Sequence, residues 1–156
     1  MEIKAELVKQ LRELTSAGMM EAKQALMEAA GDLEKAVELL RARGAAIAAK
    51  KAERVAANGV VASYIHGGNK IGVLVEVLVE TDFVARDEKF VAFARDLAVH
   101  IAGMNPADTE ELMTQPFVKD PSITVGDLLN QQVAFFKENI KIGRFVRMEL
   151  GITEAC

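Results

Sequence analysis

Cysteine is nearly missing from this chain: the single one, Cys156, is the last residue, so neither an intrachain disulfide nor a cysteine cage for a metal ion can form. Proline is almost as scarce, with three residues at 106, 116 and 121, and tryptophan is absent. Glycine numbers 11, far from the Pro- and Gly-rich composition of disordered or collagen-like chains. Long apolar runs are missing as well. Charges interrupt every hydrophobic stretch of the opening MEIKAELVKQLREL, which leaves no signal-peptide core, and no stretch reaches the ~20 residues of a membrane span. Nor is there a basic excess: 19 Lys and Arg face 23 Asp and Glu, for a net charge of −4, whereas domains that coat nucleic acid carry the opposite balance. The chain thus reads as a cytoplasmic protein of a reducing compartment, with protein partners and no direct nucleic acid or membrane contact.

Chemical motifs are equally sparse. There is no P-loop, no GxGxxG, no nucleophile elbow and no HExxH. No enzyme activity, cofactor or metal ligand is therefore expected. What the chain does have is 51% hydrophobic and 27% charged residues over 156 positions, enough to bury about two thirds of its unfolded surface in a real core.

Apolar spacing organises that material. Ile3, Leu7, Val8, Leu11 and Leu14 recur at helical intervals, Thr15 to Gly18 break the pattern, and Met19, Ala22, Ala25, Leu26 and Ala29 resume it. Gly31 and Asp32 stop the second helix and cap a third, striped by Leu33, Ala36, Val37 and Leu40. Residues 1–44 are read as a three-helix bundle and 45–58 as a helical linker, because its alanines favour helix but offer few large side chains for packing. From 59 the period becomes two. Val60, Val61, Tyr64 and Ile65, a Gly67-Gly68-Asn69 turn, and IGVLVEVLVE predict a β-hairpin with Ile71, Val73, Val75, Val77 and Val79 on one face. Phe90, Phe93, Ala94, Leu97 and Ile101 mark a long helix, and Thr124 with Asp127 opens another. Residues 104–123 read as an irregular connection with at most one helical turn. A last strand alternates Ile140, Ile142, Val146, Met148 and Leu150 with Lys141, Phe145, Arg147 and Glu149, so it adds an edge to the hairpin with one face buried. The expected fold class is α+β, with a small antiparallel three-stranded sheet packed with helices in an α+β core at 59–156.

Few residues stand out for function. His100, late in a helix, lacks a nucleophile at a telling spacing and reads as structural or solvated. Met19 and Met20 point about 100° apart, so one of them faces out and offers an adaptable binding surface. Thr81-Asp82-Phe83 sits where a strand meets a helix. Thr81 and Asp82 suit a helix cap over a buried Phe83, while an acid beside a large aromatic at a junction suits a protruding wedge. Lys50, Lys51 and Arg54 read as a solvated helix face, with interleaved alanines that give bases nothing to stack on.

Taken together, LVKQLRELTSAGMMEAKQAL at 7–26, YIHGGNKIGVLVEV at 64–77, ETDFVARDEKF at 80–90, QPFVKDPSITVGDLL at 115–129 and ENIKIGRFVRMELG at 138–151 closely resemble bacterial elongation factors Ts. The resemblance implies a ubiquitin-associated (UBA-like) amino-terminal bundle that docks on elongation factor Tu through Arg12, Met19, Met20 and Lys23. It implies that Thr81, Asp82, Phe83 and Val84 form a wedge near the magnesium site of that partner, with His66 pressing close by, so that the chain acts as a guanine nucleotide exchange factor. It also implies the short, single-core type, a homodimer built through the core (dimerisation) domain, with a shortened 104–123 region. Four positions depart from the family pattern: Ser16 and Lys137 stand where Gly is usual, Glu21 for Asp, and Gly143 for Arg. Leu78-Val79 replaces an Asn-Cys pair. Two other readings are a UBA-like recruitment module without exchange activity and a small hydrolase pairing His66 with Asp82 or Glu80.

Overall fold

The computed structural model describes residues 2–152 of the chain; Cys156 lies outside them. Among the described residues twelve elements follow in order: α1 (Ala5–Thr15), α2 (Met19–Glu28), α3 (Leu33–Lys51), β1 (Asn58–Ile65), β2 (Ile71–Val79), α4 (Asp82–Ala85), α5 (Glu88–Met104), α6 (Thr109–Thr114), β3 (Pro116–Phe117), β4 (Asp120–Thr124), α7 (Val125–Phe136) and β5 (Ile140–Glu149). The class is α+β, and the main sheet is antiparallel with order β1-β2-β5. Among the described residues no helix is long and apolar enough to cross a membrane.

The first three helices enclose Leu11, Ala22, Ala25, Leu26, Ala29 and Ala36, all from the predicted stripes, whereas Leu14 and Met19 of those stripes are exposed. Asp32 caps α3 by accepting the Lys35 amide. This helix does not stop at the bundle. It runs through Gly44 to Lys51 and lies against α7, with Ile47 and Ala48 packed on the main core. The scarcity of large side chains, expected to leave this stretch without packing, does the reverse. A β-carbon on Gly44 would stand 3.5 Å from the Asn130 carbonyl oxygen, so small residues let the two helix axes approach.

In the main core, Val73, Val75, Val77 and Val79 of the central strand are buried against Phe90, Phe93, Ala94, Leu97 and Ile101 of α5. Val125, Leu129 and Val133 of α7 close the same cluster. Burying each large side chain contributes roughly 1.5–3 kcal/mol relative to leaving it exposed. The hairpin forms as its sequence predicts, with Gly68 and Asn69 at positive φ in the turn.

Two local expectations are corrected. Along β5 the buried face changes midway: Ile140 and Ile142 face the core, then Phe145 and Arg147 do, leaving Val146, Met148 and Leu150 exposed. A bulge causes the switch. Val77 pairs with Ile142 but Val75 pairs with Phe145, so Gly143 and Arg144 together oppose Glu76, and one extra residue inverts every later side chain. The Glu76 carboxylate fills the bulge, accepting the Arg144 amide at 3.2 Å and its guanidinium at 3.1 Å, and a β-carbon on Gly143 would collide with it. The 104–123 region is also more ordered than expected. Asp108 caps the six-residue α6 by accepting the Glu111 amide, and β3 pairs with β4 with Pro116 and Pro121 in a two-stranded sheet, where unpaired edges tolerate proline.

Ser16 and Lys137 end α1 and α7 at φ 57° and 58°, the left-handed cap conformation that glycine adopts without a β-carbon penalty. Replacing either with Gly is expected to raise the free energy of unfolding by about 0.5–1 kcal/mol, measured by urea denaturation; an unchanged or lowered midpoint would contradict this.

Candidate functional site

The strand-to-helix junction after β2 is where the predicted site residues gather. Thr81 is extended and caps α4, its hydroxyl accepting the Val84 amide at 3.3 Å. The Ala85 and Arg86 amides bond the carbonyls of Thr81 and Asp82. Four residues cannot sustain a helix on their own, so the turn is held from outside. Val84 and Ala85 are buried in the main core, which leaves Phe83 facing away from it. Both sequence readings of this segment are therefore partly met, because Thr81 is a cap and yet the Phe83 ring is 86% exposed. Leaving that ring in water forgoes roughly 1.5–3 kcal/mol of burial. Asp82 meets the Arg86 guanidinium at 2.9 Å, one turn along, with both side chains largely exposed; such a pair contributes little and leaves the carboxylate accessible.

The junction is braced by residues that sequence reasoning did not single out. Glu138, just after α7, accepts the Thr81 amide at 2.9 Å and lies within 3.0 Å of its hydroxyl with both carboxylate oxygens. Asn139 is buried, donates its amide to Glu80 at 2.7 Å and its side chain to the carbonyls of Ala52 and Arg54. Their only trace in the sequence is an acid and an Asn between a helix end and a strand, which also fits an ordinary turn.

The other predicted residues lie elsewhere. Met19 and Met20 are 61% and 74% exposed at the start of α2. They flank a groove of about 760 Å³ between the bundle and α7, whose lining includes Arg41, Phe135 and Lys137. Arg12 is exposed and donates from Nε to the Ala17 carbonyl at 3.2 Å, so it shapes the turn that presents the methionines. Glu21 accepts the Gly18 amide at 3.2 Å in that turn. Lys23 is exposed on α2. His66 sits at the hairpin tip with its Nδ1 3.2 Å from the Tyr64 hydroxyl. The nine residues of β2 separate that tip from Thr81, roughly 30 Å of extended chain, so His66 cannot pair with Asp82 or Glu80 in acid–base chemistry.

A family model described as elongation factor TS matches residues 80–155, the stretch that opens on this junction. The elongation factor Ts of Acetivibrio thermocellus is 46% identical over 194 aligned positions, covering 96% of this chain and 90% of the relative. That of Carboxydothermus hydrogenoformans is 45% identical, covering 96% and 89%. The chain belongs to the elongation factor Ts family. The relative from Nitratidesulfovibrio vulgaris is 44% identical over 200 positions, covering 99% and 100%. Each alignment is longer than the 156 residues here, so these family members carry residues that this chain lacks. Of the positions noted in the sequence, Ser16 and Lys137 fall at left-handed helix ends, and Gly143 falls in the β5 bulge, where a β-carbon would meet the Glu76 carboxylate.

His100 is structural. It is fully buried and stacked on Phe117. Its Nδ1 accepts the Val118 amide at 3.1 Å, so Nε2 carries the proton and donates to the Gln115 side-chain oxygen at 2.9 Å. Burial lowers its pKa below the usual 6.5, only partly opposed by the Gln115 bond. The folded state thus prefers neutral imidazole, and the unfolded chain takes up the proton first as pH falls. The His100 contribution to stability is expected to be nearly level from pH 7.5 to about 6.5 and to decline on further acidification, with a shallower decline in His100→Gln, measured by urea unfolding at each pH; equal slopes below 6.5 would contradict this.

Proposed function

We propose that this chain is a guanine nucleotide exchange factor for elongation factor Tu, acting in the cytoplasm during translation elongation. It has no catalytic residue or cofactor of its own in this reading. The observation that carries the proposal is the exposed Phe83 beside Asp82 on a turn whose other residues are anchored. An aromatic held out at this cost on rigid backbone suits insertion into a second protein, where buried aromatic anchors supply most of the binding energy.

Asp82 and Phe83 would enter between helices of the partner near its Mg²⁺, with Thr81 and Val84 fixing their base and His66 pressing from the hairpin tip. Mg²⁺ demands near-ideal octahedral oxygen ligation and the phosphates rest on aligned backbone amides, so a shift of about 1 Å weakens both. GDP then leaves sooner. Each tenfold acceleration asks about 1.4 kcal/mol of barrier, so a 10⁴-fold effect asks roughly 5.5 kcal/mol from all contacts together. The coupling is reciprocal: nucleotide binding to the partner weakens its hold on this chain by the same free energy, and GTP expels the factor. Residues 1–44 would be a UBA-like bundle contacting the nucleotide domain through Arg12, Met19, Met20 and Lys23, tied by 45–58 to the 59–156 core. The shortened 104–123 region gives the length difference from the relatives a place.

A homodimer completes the proposal. Val61, Ile65 and Leu74 share the outer face of the sheet with Val146, Met148 and Leu150, which the β5 bulge turns outward, an apolar surface that self-association would cover.

Two measurements test this. Purified chain added to elongation factor Tu loaded with fluorescent GDP is expected to accelerate nucleotide loss, and the Asp82→Ala, Phe83→Ala double variant to lose about 30-fold or more of that, the ~2 kcal/mol of one hot-spot aromatic. Binding without faster release would mark a recruiter instead. In sedimentation, the wild type is expected to be dimeric and Met148→Glu monomeric; a monomeric wild type at tens of micromolar would contradict the dimer.

A further inference from the structure

We infer that Glu138 is a positioning residue for the Asp82–Phe83 prong, aiming it through Thr81, with Asn139 tying the same junction to the end of α3. The inference rests on the exchange reading and names the device that regulates its site. Two turns converge here: β2 passes into α4 at Glu80 and Thr81, and α7 passes into β5 at Lys137 to Asn139. Each gives the other a carboxylate. Glu138 Oε1 accepts the Thr81 amide at 2.9 Å, and the Thr81 hydroxyl stands 3.0 and 2.8 Å from Oε1 and Oε2. In return Glu80 Oε1 accepts the Asn139 amide at 2.7 Å. Hydrogen bonds to an ionised acceptor are about twice as strong as neutral ones.

Asn139 extends the clamp. Its side-chain amide donates to the Ala52 carbonyl at 3.3 Å and to that of Arg54 at 2.7 Å, and the Arg54 guanidinium lies 3.6 Å from Glu80. The chain leaving α3 is therefore pinned at the base of the prong.

The geometry shows why aim is needed. Phe83 is so exposed that its own side chain meets little that would orient it, and the backbone of 81–85 alone sets its direction. Val84 and Ala85 anchor that backbone from beneath; Glu138 anchors its leading end. Without Glu138, Thr81 is exposed enough for water to satisfy its amide and hydroxyl, so the fold survives while the turn can rock on Val84. A misplacement of about 1 Å can lower a rate by up to 10²-fold.

The full chain and elongation factor Tu loaded with fluorescent GDP provide the test. Glu138→Ala is expected to reduce the saturating release rate about tenfold with an unchanged far-ultraviolet circular dichroism spectrum. Glu138→Gln, which keeps an acceptor oxygen at the same reach, restores most of it. In a Phe83→Ala background, Glu138→Ala is expected to cost less than about twofold, because residues acting through one another are not additive. Losses that multiply, or a Glu138→Ala rate equal to wild type, would overturn the inference. Amide hydrogen exchange on the free chain separates this from the exchange reading. Glu138→Ala is expected to speed exchange at Ala85 and Arg86 about fivefold or more, leaving α5 unchanged; unaltered α4 protection removes the clamp, whether or not the wild type releases GDP.

Discussion

The structure turns on the crossing of two short connections, where Glu138 grips Thr81 and Asn139 meets Glu80. One connection carries the exposed prong, the other joins the last helix to an edge strand, and the carbonyls at the end of α3 close the group through Asn139. Asn139 is the buried member, and a buried amide is costly unless its donors are used; the bonds of the crossing reach three parts of the chain far apart in sequence. The crossing ties the chain leaving α3 and the start of β5 to the base of α4, and the exchange proposal depends on that placement.

Around it, the chain divides its apolar residues between inward packing and outward display. Val73, Val75, Val77 and Val79 go wholly inward, while Phe83, Met19, Met20 and Met148 go outward. Outward display of so many large side chains works against solubility unless they are covered, and two partners of different kinds, elongation factor Tu and a second copy, account for them under the functional proposal.

Regular elements were legible in the sequence wherever periodicity decided them. The bundle stripes, the hairpin and the α5 face follow from spacing alone, and the fully buried Phe90, Leu97 and Ile101 lie on the predicted face. The prong was half legible: Thr81 looked like a cap and is one, but no local rule says that the cap would leave the next aromatic outside. The face change in β5 was hidden because a bulge depends on the partner strand, here on the carboxylate of Glu76, and alternation within one strand cannot reveal it. The brace at Glu138 and Asn139 was hidden for a related reason, since its bonds join residues 57 and 59 positions apart. Small residues misled at 44–51, where alanine and glycine suggested poor packing and instead allowed close helix approach.

The central claim is that the Phe83 ring leaves water for the interior of a second protein. A fluorinated phenylalanine placed at position 83 reports this directly through the solvent isotope shift of its fluorine resonance, read before and after adding elongation factor Tu. A large shift in the free chain that disappears in the complex is expected. A complex that forms while the shift remains would contradict it.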